Sequence, residues 1–239
     1  MDRLRPNARA LALGSLMILA LAGCRTTGQK PDYVQPTPTP TTTPSTAPSA
    51  PAATTASVAP SPSPSGPTAY TSTSFDQPFT ITLPAGWLIG DQDPNMVSFY
   101  LPMGPNEGPR LGVDIQEVSQ VLKDPCGHGP NYIDPGQSPR ELADWMTAWA
   151  PLHASKPAAG KLSGIDALVV EEAFDGSCDG PNLWPTPGGY LDPAEHKRYA
   201  ILDVGGKRVV VTLVGRDDTW DATLADGEQV LDSLTFTNP

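Results

Sequence analysis

Apolar and polar residues alternate strictly through Phe79-Thr80-Ile81-Thr82-Leu83, the pattern of a strand with one buried face, and Pro84-Ala85-Gly86 ends it before Trp87. Met96 to Leu101 and Leu111 to Val118 repeat the signal on either side of the Pro/Gly-rich segment Pro102 to Pro109, so an opening meander is expected. Ser138-Pro139-Arg140-Glu141 then combines an N-cap serine, a proline at the first helical position and a glutamate set to close a capping box. The helix that follows places Leu142, Trp145, Met146, Trp149 and Leu152 on one face, and Pro151 limits its length. Two β segments come next, Lys161-Leu162 and Ile165 to Phe174, joined through Ser163-Gly164. Tyr199 to Val204 and Lys207 to Val214 flank Gly205-Gly206, a pair free to take the positive φ of a tight hairpin turn. Asp218 or Thr219 caps a last helix carrying Trp220, Leu224, Val230 and Leu231 on one side, before a short strand from Leu234 to Phe236. Helices on a mainly antiparallel sheet make an α+β class.

Upstream of this region the pattern changes in kind. Arg3, Arg5 and Arg9 form a positive end before an apolar run from Leu11 to Ala22. As a helix that run would span roughly 18 Å against a hydrocarbon core of about 30 Å, which suits an export signal over residues 1–23 rather than a membrane span. Leu21-Ala22-Gly23-Cys24 resembles the lipobox of bacterial lipoproteins, in which the cysteine thiol receives a diacylglyceryl group and the chain is cut before it. Two or three acyl chains, at about 0.8 kcal/mol per buried methylene, hold far more firmly than one. The expected address is the outer face of a bacterial cytoplasmic membrane, with palmitate-type acylation at Cys24 and the remaining chain extracytoplasmic.

Residues 24–73 read as a disordered linker. Eleven prolines lie between Pro31 and Pro67 among Thr, Ser and Ala, with too little apolar surface to offset the entropy of ordering. Thr-Pro and Ser-Pro pairs favour a solvated polyproline stalk, reaching roughly 40 Å as a coil and up to about 155 Å extended. Residues 74–239 then form one globular domain, a length that supports a single core. Removing the five Lys/Arg and two Asp/Glu that precede Ser74 from totals of 15 and 26 leaves that domain a formal charge of −14. Such a balance repels phosphate backbones and anionic headgroups, so nucleic acid is excluded as a partner.

With Cys24 taken by lipid, Cys126 and Cys178 remain in a compartment that permits disulfides, and they are expected to pair. In the chain-entropy model closing that loop contributes about 4 kcal/mol. The bridge would draw Cys126 to Pro135 against the Gly/Pro-rich stretch from Gly176 to Gly189. His128, Trp184 and Tyr190 are therefore the candidate ligand-loop residues.

The order of elements resembles the PsbP-like fold. The segments that carry the resemblance are FTITLPAGW (79–87), GIDALVVE (164–171) and VLDSLTF (230–236), over most of residues 75 to 238. DPCGHG (124–129) and YAILDVGGKRVVV (199–211) are similar to actinobacterial lipoproteins, related to the LpqN type, that also carry a central cysteine pair. The resemblance implies an accessory or binding role in the cell envelope and supplies no catalytic residues.

Catalytic and metal motifs are scarce. His128, His153 and His196 do not share the short spacing of a zinc site, and no phosphate loop, nucleophile elbow or dinucleotide fingerprint is present, so no cofactor is expected. Asp91-Gln92-Asp93-Pro94-Asn95 opens like a calcium loop, but Met96 stands where glycine is needed and Pro102 where the bidentate glutamate belongs, so it reads as a hairpin turn. Glu171-Glu172 and Asp217-Asp218 read as solvated surface, and Trp145 and Trp149 as core. A non-enzymatic binding or accessory module comes first, with an envelope protein or glycan as partner. A hydrolase using His128 or His196 and a purely structural envelope protein stay open. Replacing Cys24→Ala is expected to move the protein from the membrane fraction to the medium; unchanged membrane retention on fractionation would overturn the lipid anchor.

Overall fold

The computed structural model describes residues 66–237 apart from 105–108, 128 and 179–180; the signal-like segment, Cys24, most of the linker and His128 lie outside the described residues. The fold starts earlier than composition suggests. β1 (Thr68–Thr71) pairs antiparallel with β2 (Phe79–Leu83), Thr68 opposite Leu83 and Thr71 opposite Thr80, within the stretch assigned above to the linker. Tyr70 accounts for the difference: its ring meets Phe99 edge-on at 5.1 Å and its hydroxyl donates to Gln92 Oε1 at 3.0 Å. One aromatic and a backbone ladder hold a strand among residues whose average composition points elsewhere.

β3 (Leu88–Asp93) is a second strand that alternation misses, an exposed edge held by its pairing with β4 (Met96–Pro102). Between them Asp93 Oδ1 accepts the N–H groups of Asn95 and Met96, both at 2.8 Å, so the calcium-like run is the hairpin turn expected. β5 (Pro109–Glu117) follows, and β6 (Val121–Leu122) with β7 (Tyr132–Ile133) makes a small separate ribbon. α1 (Pro139–Ala148) opens on the full capping box, with the Ser138 N–H donating to Glu141 Oε2 at 2.9 Å. It buries Leu142, Ala143 and Met146, while Trp149 stacks on Phe174 with ring planes 9° apart. β8 (Ala158–Leu162) and β9 (Ile165–Ala173) form one hairpin, and β10 (Glu195–Val204) and β11 (Lys207–Arg216) form another around Gly205 and Gly206 at φ 59° and 80°. α2 (Trp220–Asp232) leads into β12 (Thr235–Phe236), which returns to pair with β2.

The large sheet runs β3-β4-β5-β11-β10-β9-β8 with every neighbour antiparallel, and β1-β2-β12 is a second, smaller sheet. With α1 and α2 packed on these sheets the fold is α+β, as the pattern predicts. Leu111, Val113 and Ile115 of β5 and Val209, Val211 and Leu213 of β11 face one core, shared with β2 and α2. Val170, Tyr199, Ile201 and Val210 face a second core on the other side, shared with α1. β11 is buried on both faces, which is why Val209 to Val214 reads as a nearly continuous apolar run.

Gly227 lets α2 lie close on the sheet: a Cβ there would overlap the Leu213 side chain. Gly227→Ala gains about 1 kcal/mol in helix propensity. The overpacking costs about 1–3 kcal/mol, so a net loss of roughly 1 kcal/mol is expected. A lower urea midpoint at unchanged slope checks this; a higher midpoint would show that α2 can move off the sheet without cost.

Candidate functional site

Antiparallel register lines residues up in rows across the α1 face of the large sheet. One row runs Tyr100, Gly112, Val214, Lys197, Glu172 across β4, β5, β11, β10 and β9. The next runs Ser98, Asp114, Thr212, Tyr199, Val170. A third carries Val210, Ile201 and Leu168, against which α1 packs. The face thus passes from apolar under the helix to polar beyond its reach.

The disulfide-bonded segments cover part of that polar area. Cys126 and Cys178 are bonded, their Cα atoms 5.7 Å apart, as the cysteine count predicts. The Leu122 N–H donates to the Leu183 carbonyl at 2.8 Å and the Asn182 N–H to that of Pro125 at 3.1 Å, lacing the two segments together. The Leu183 N–H donates to the Gly189 carbonyl at 2.8 Å, which doubles the second segment back on itself. The Thr186 hydroxyl then pins it to the buried Gln116 of β5.

Trp184 is not the free loop aromatic that its Gly/Pro-rich setting suggests. It is 1% exposed and packs edge-on to Tyr199 at 5.7 Å, because the tight return of its own segment tucks the indole under the turn. Of the two candidate loop aromatics Tyr190 is the one left in solvent, 49% exposed.

Between this wall and the outer strands lies a cleft of about 500 Å³, within the size range of small-molecule sites. Its floor and far side carry Asp91, Ser98, Tyr100, Asp114, Glu195 and Lys197, and Pro187, Gly188 and Tyr190 form the near wall. Gly112 leaves no room for a side chain at the floor, since a Cβ there would meet Val214 Cγ1 at 2.8 Å. Lys197 is 5% exposed; its ammonium donates to the Tyr190 carbonyl and lies 3.4 Å from Glu195 Oε2. It fastens the wall to the floor.

Burial governs the acids. The Asp114 carboxyl is pushed up to about 6, by desolvation first; Lys197 opposes that shift, while Glu195 and Asp91 add to it. Glu172 is pushed up to about 7, again by desolvation, against the hydrogen bond that the Tyr199 hydroxyl donates to its Oε2 at 2.7 Å. Glu172 Oε1 is buried without a hydrogen-bond partner, as are Thr212 Oγ1 and Gln116 Nε2. Glu172 therefore corrects the surface reading of the Glu171-Glu172 pair. The two do point to opposite faces, but one of those faces is core.

Glu171 lies on the other side with His196. There Arg198 binds Glu171 and Glu228, each at 2.7 Å, and the His196 ring stacks on Trp220 at 4.5 Å. Glu171 and Asp217 approach His196 no nearer than 3.9 and 3.8 Å. His196 does not line the cleft, which removes it from any chemistry there. Among the described residues no group of three or more His, Cys, Asp or Glu side chains is placed to hold a metal ion, and no helix is long and apolar enough to cross a membrane.

Sequence reasoning missed Asp114, Glu172, Glu195 and Lys197. The signal available was phase: Glu195 and Lys197 share the alternation phase of the core residues Tyr199 and Ile201, so a strand continued through them carries its charges inward.

No family model and no curated protein matches the chain. Among solved structures it is similar to cyanobacterial PsbP (CyanoP) from Synechocystis sp. PCC 6803, at 16% identity over 75% of this chain and 98% of that one, with a TM-score of 0.41. It is similar to LpqN of Mycobacterium tuberculosis, described as involved in cell envelope biogenesis, at 17% identity over 72% and 92% with a TM-score of 0.41. A Bacteroides thetaiotaomicron VPI-5482 protein matches at 14% identity and a TM-score of 0.36, over 67% of this chain and 45% of that one. At these values the likeness transfers no site or activity, and the fold is read from the chain's own topology.

Asp114 and Glu172 hold their protons more tightly folded than unfolded, so the stability they lend is complete near pH 4 and is lost as pH rises through about 6 and about 7. The thermal midpoint is expected to fall between those limits, and Glu172→Gln to flatten that fall and stabilise the alkaline side by about 2–3 kcal/mol. Parallel curves for variant and parent would show that Glu172 is not desolvated.

Proposed function

We propose that this protein is a non-enzymatic binding module of the cell envelope, held through a lipid on Cys24 and raised on its proline-rich linker. Its cleft takes a small ligand, or one residue of a larger envelope glycan or protein. The cleft itself carries the reading. A sheet whose central strand β11 is buried on both faces leaves a polar, aromatic-edged concavity beside it, with a wall fixed by covalent and hydrogen bonds. Rigid walls keep the entropy cost of binding low. The lipobox-like Leu21-Ala22-Gly23-Cys24 and the linker composition support display outside the membrane.

The test is a photo-crosslinking amino acid at Tyr190 in the full-length protein on intact cells, with Asp226 on α2 as the control position. A discrete adduct is expected at Tyr190 alone, diminished in the Cys126→Ser/Cys178→Ser pair. Equal labelling at both positions, or none at either, would overturn the cleft as the binding site.

A further inference from the structure

We infer that the cleft selects a ligand bearing an ammonium group, with Asp114 receiving it and Tyr100 and Tyr190 flanking its body. This rests on the cleft being the ligand site, and it names the chemistry the site accepts.

Charge inside the cleft is lopsided. Asp91, Asp114 and Glu195 come from three different strands, β3, β5 and β10, and converge on one cavity in which, among the described residues, Lys197 is the single cation. That cation is already committed: its side chain is 6% exposed, it donates to the Tyr190 carbonyl and it faces Glu195. An anionic ligand would find three carboxylates and no free positive charge, so anions are rejected.

Asp114 is the group left without a partner. Among the described residues no donor hydrogen-bonds to its carboxylate. Its cross-strand neighbours do not serve it: Ser98 Oγ accepts the Asp91 N–H at 2.8 Å, and Thr212 Oγ1 is itself buried and unpartnered. Asp114 is half-buried where it lines the cavity, and desolvation raises its carboxyl to about 6, so at neutral pH a mostly ionised carboxylate faces the cleft with no protein donor on it. An ammonium supplies three donors and the missing charge together. Tyr100 and the half-exposed Tyr190 line the same cavity, and aromatic faces attract a cation electrostatically. The cavity's 500 Å³ admits one sugar ring or a short alkyl chain beside the ammonium. A bare metal ion is the alternative cation, and among the described residues no donor set for one is present.

Two sources of the same chemistry are separable, an amino sugar and an alkylamine. Calorimetric titration of the full chain in detergent would compare glucosamine with N-acetylglucosamine, and pentylamine with 1-pentanol, so that each cation meets a neutral twin of like shape. At neutral pH at least one amine is expected to bind about tenfold or more tightly than its twin. Asp114→Asn should remove that preference without lowering the thermal midpoint, and Asp91→Asn should reduce it. Amine affinity should fall as pH drops through about 6, where Asp114, facing Lys197, Glu195 and Asp91, takes up a proton. Equal binding of a neutral twin, abolished by Tyr190→Ala, would overturn the ammonium assignment and keep the cleft as a ligand site. No binding by any of the four at millimolar concentration would overturn both.

Discussion

The β10–β11 hairpin is the element on which the rest depends. Ten residue pairs, from Val204 opposite Lys207 to Glu195 opposite Arg216, set its register. β5 and β9 then read that register on either side. A slip of one residue would turn Val209, Val211 and Leu213 away from the core they share with α2 and send Val210 there instead. Both cores and the polar rows that floor the cleft are consequences of one two-glycine turn placed at one position.

That dependence explains how a polar floor is maintained inside a stable sheet. Lys197 and Glu172 share a row, and Tyr199 bridges toward Glu172 from the neighbouring row, so charges that a lone strand would expose are enclosed by pairing on both sides. Enclosure has a cost, visible in the raised Glu172 carboxyl and in unpartnered atoms of Gln116, Thr212 and Glu172. The cost is carried by the apolar burial around it.

What could be read from sequence follows the same division. The β10–β11 turn, the Ser138 capping box, the β2 alternation and the Cys126–Cys178 pair are each fixed by chemistry within a few residues or by elimination, and each is where the pattern puts it. β1 and β3 were not legible, because an edge strand is held by its neighbour's hydrogen bonds rather than by its own alternation. The site was legible only in outline. Tyr190 could be reached by following the cysteines, but Trp184 required knowing how tightly its segment turns. Asp114 gains its meaning only from strands distant in sequence, which is information no local window contains.

The small sheet has a mechanical consequence. Among the described residues β1 is the first element and β2 its one strand partner, while the cleft belongs to the far face of the large sheet. A pull applied to the chain ahead of β1 would therefore fall first on four paired positions, beginning at Thr68 and Leu83. That short ladder can yield residue by residue and relieve the load before strain reaches β5, β10 or the disulfide-held wall. The arrangement would work as a strain relief, letting that end of the fold be tugged while the cleft keeps its shape.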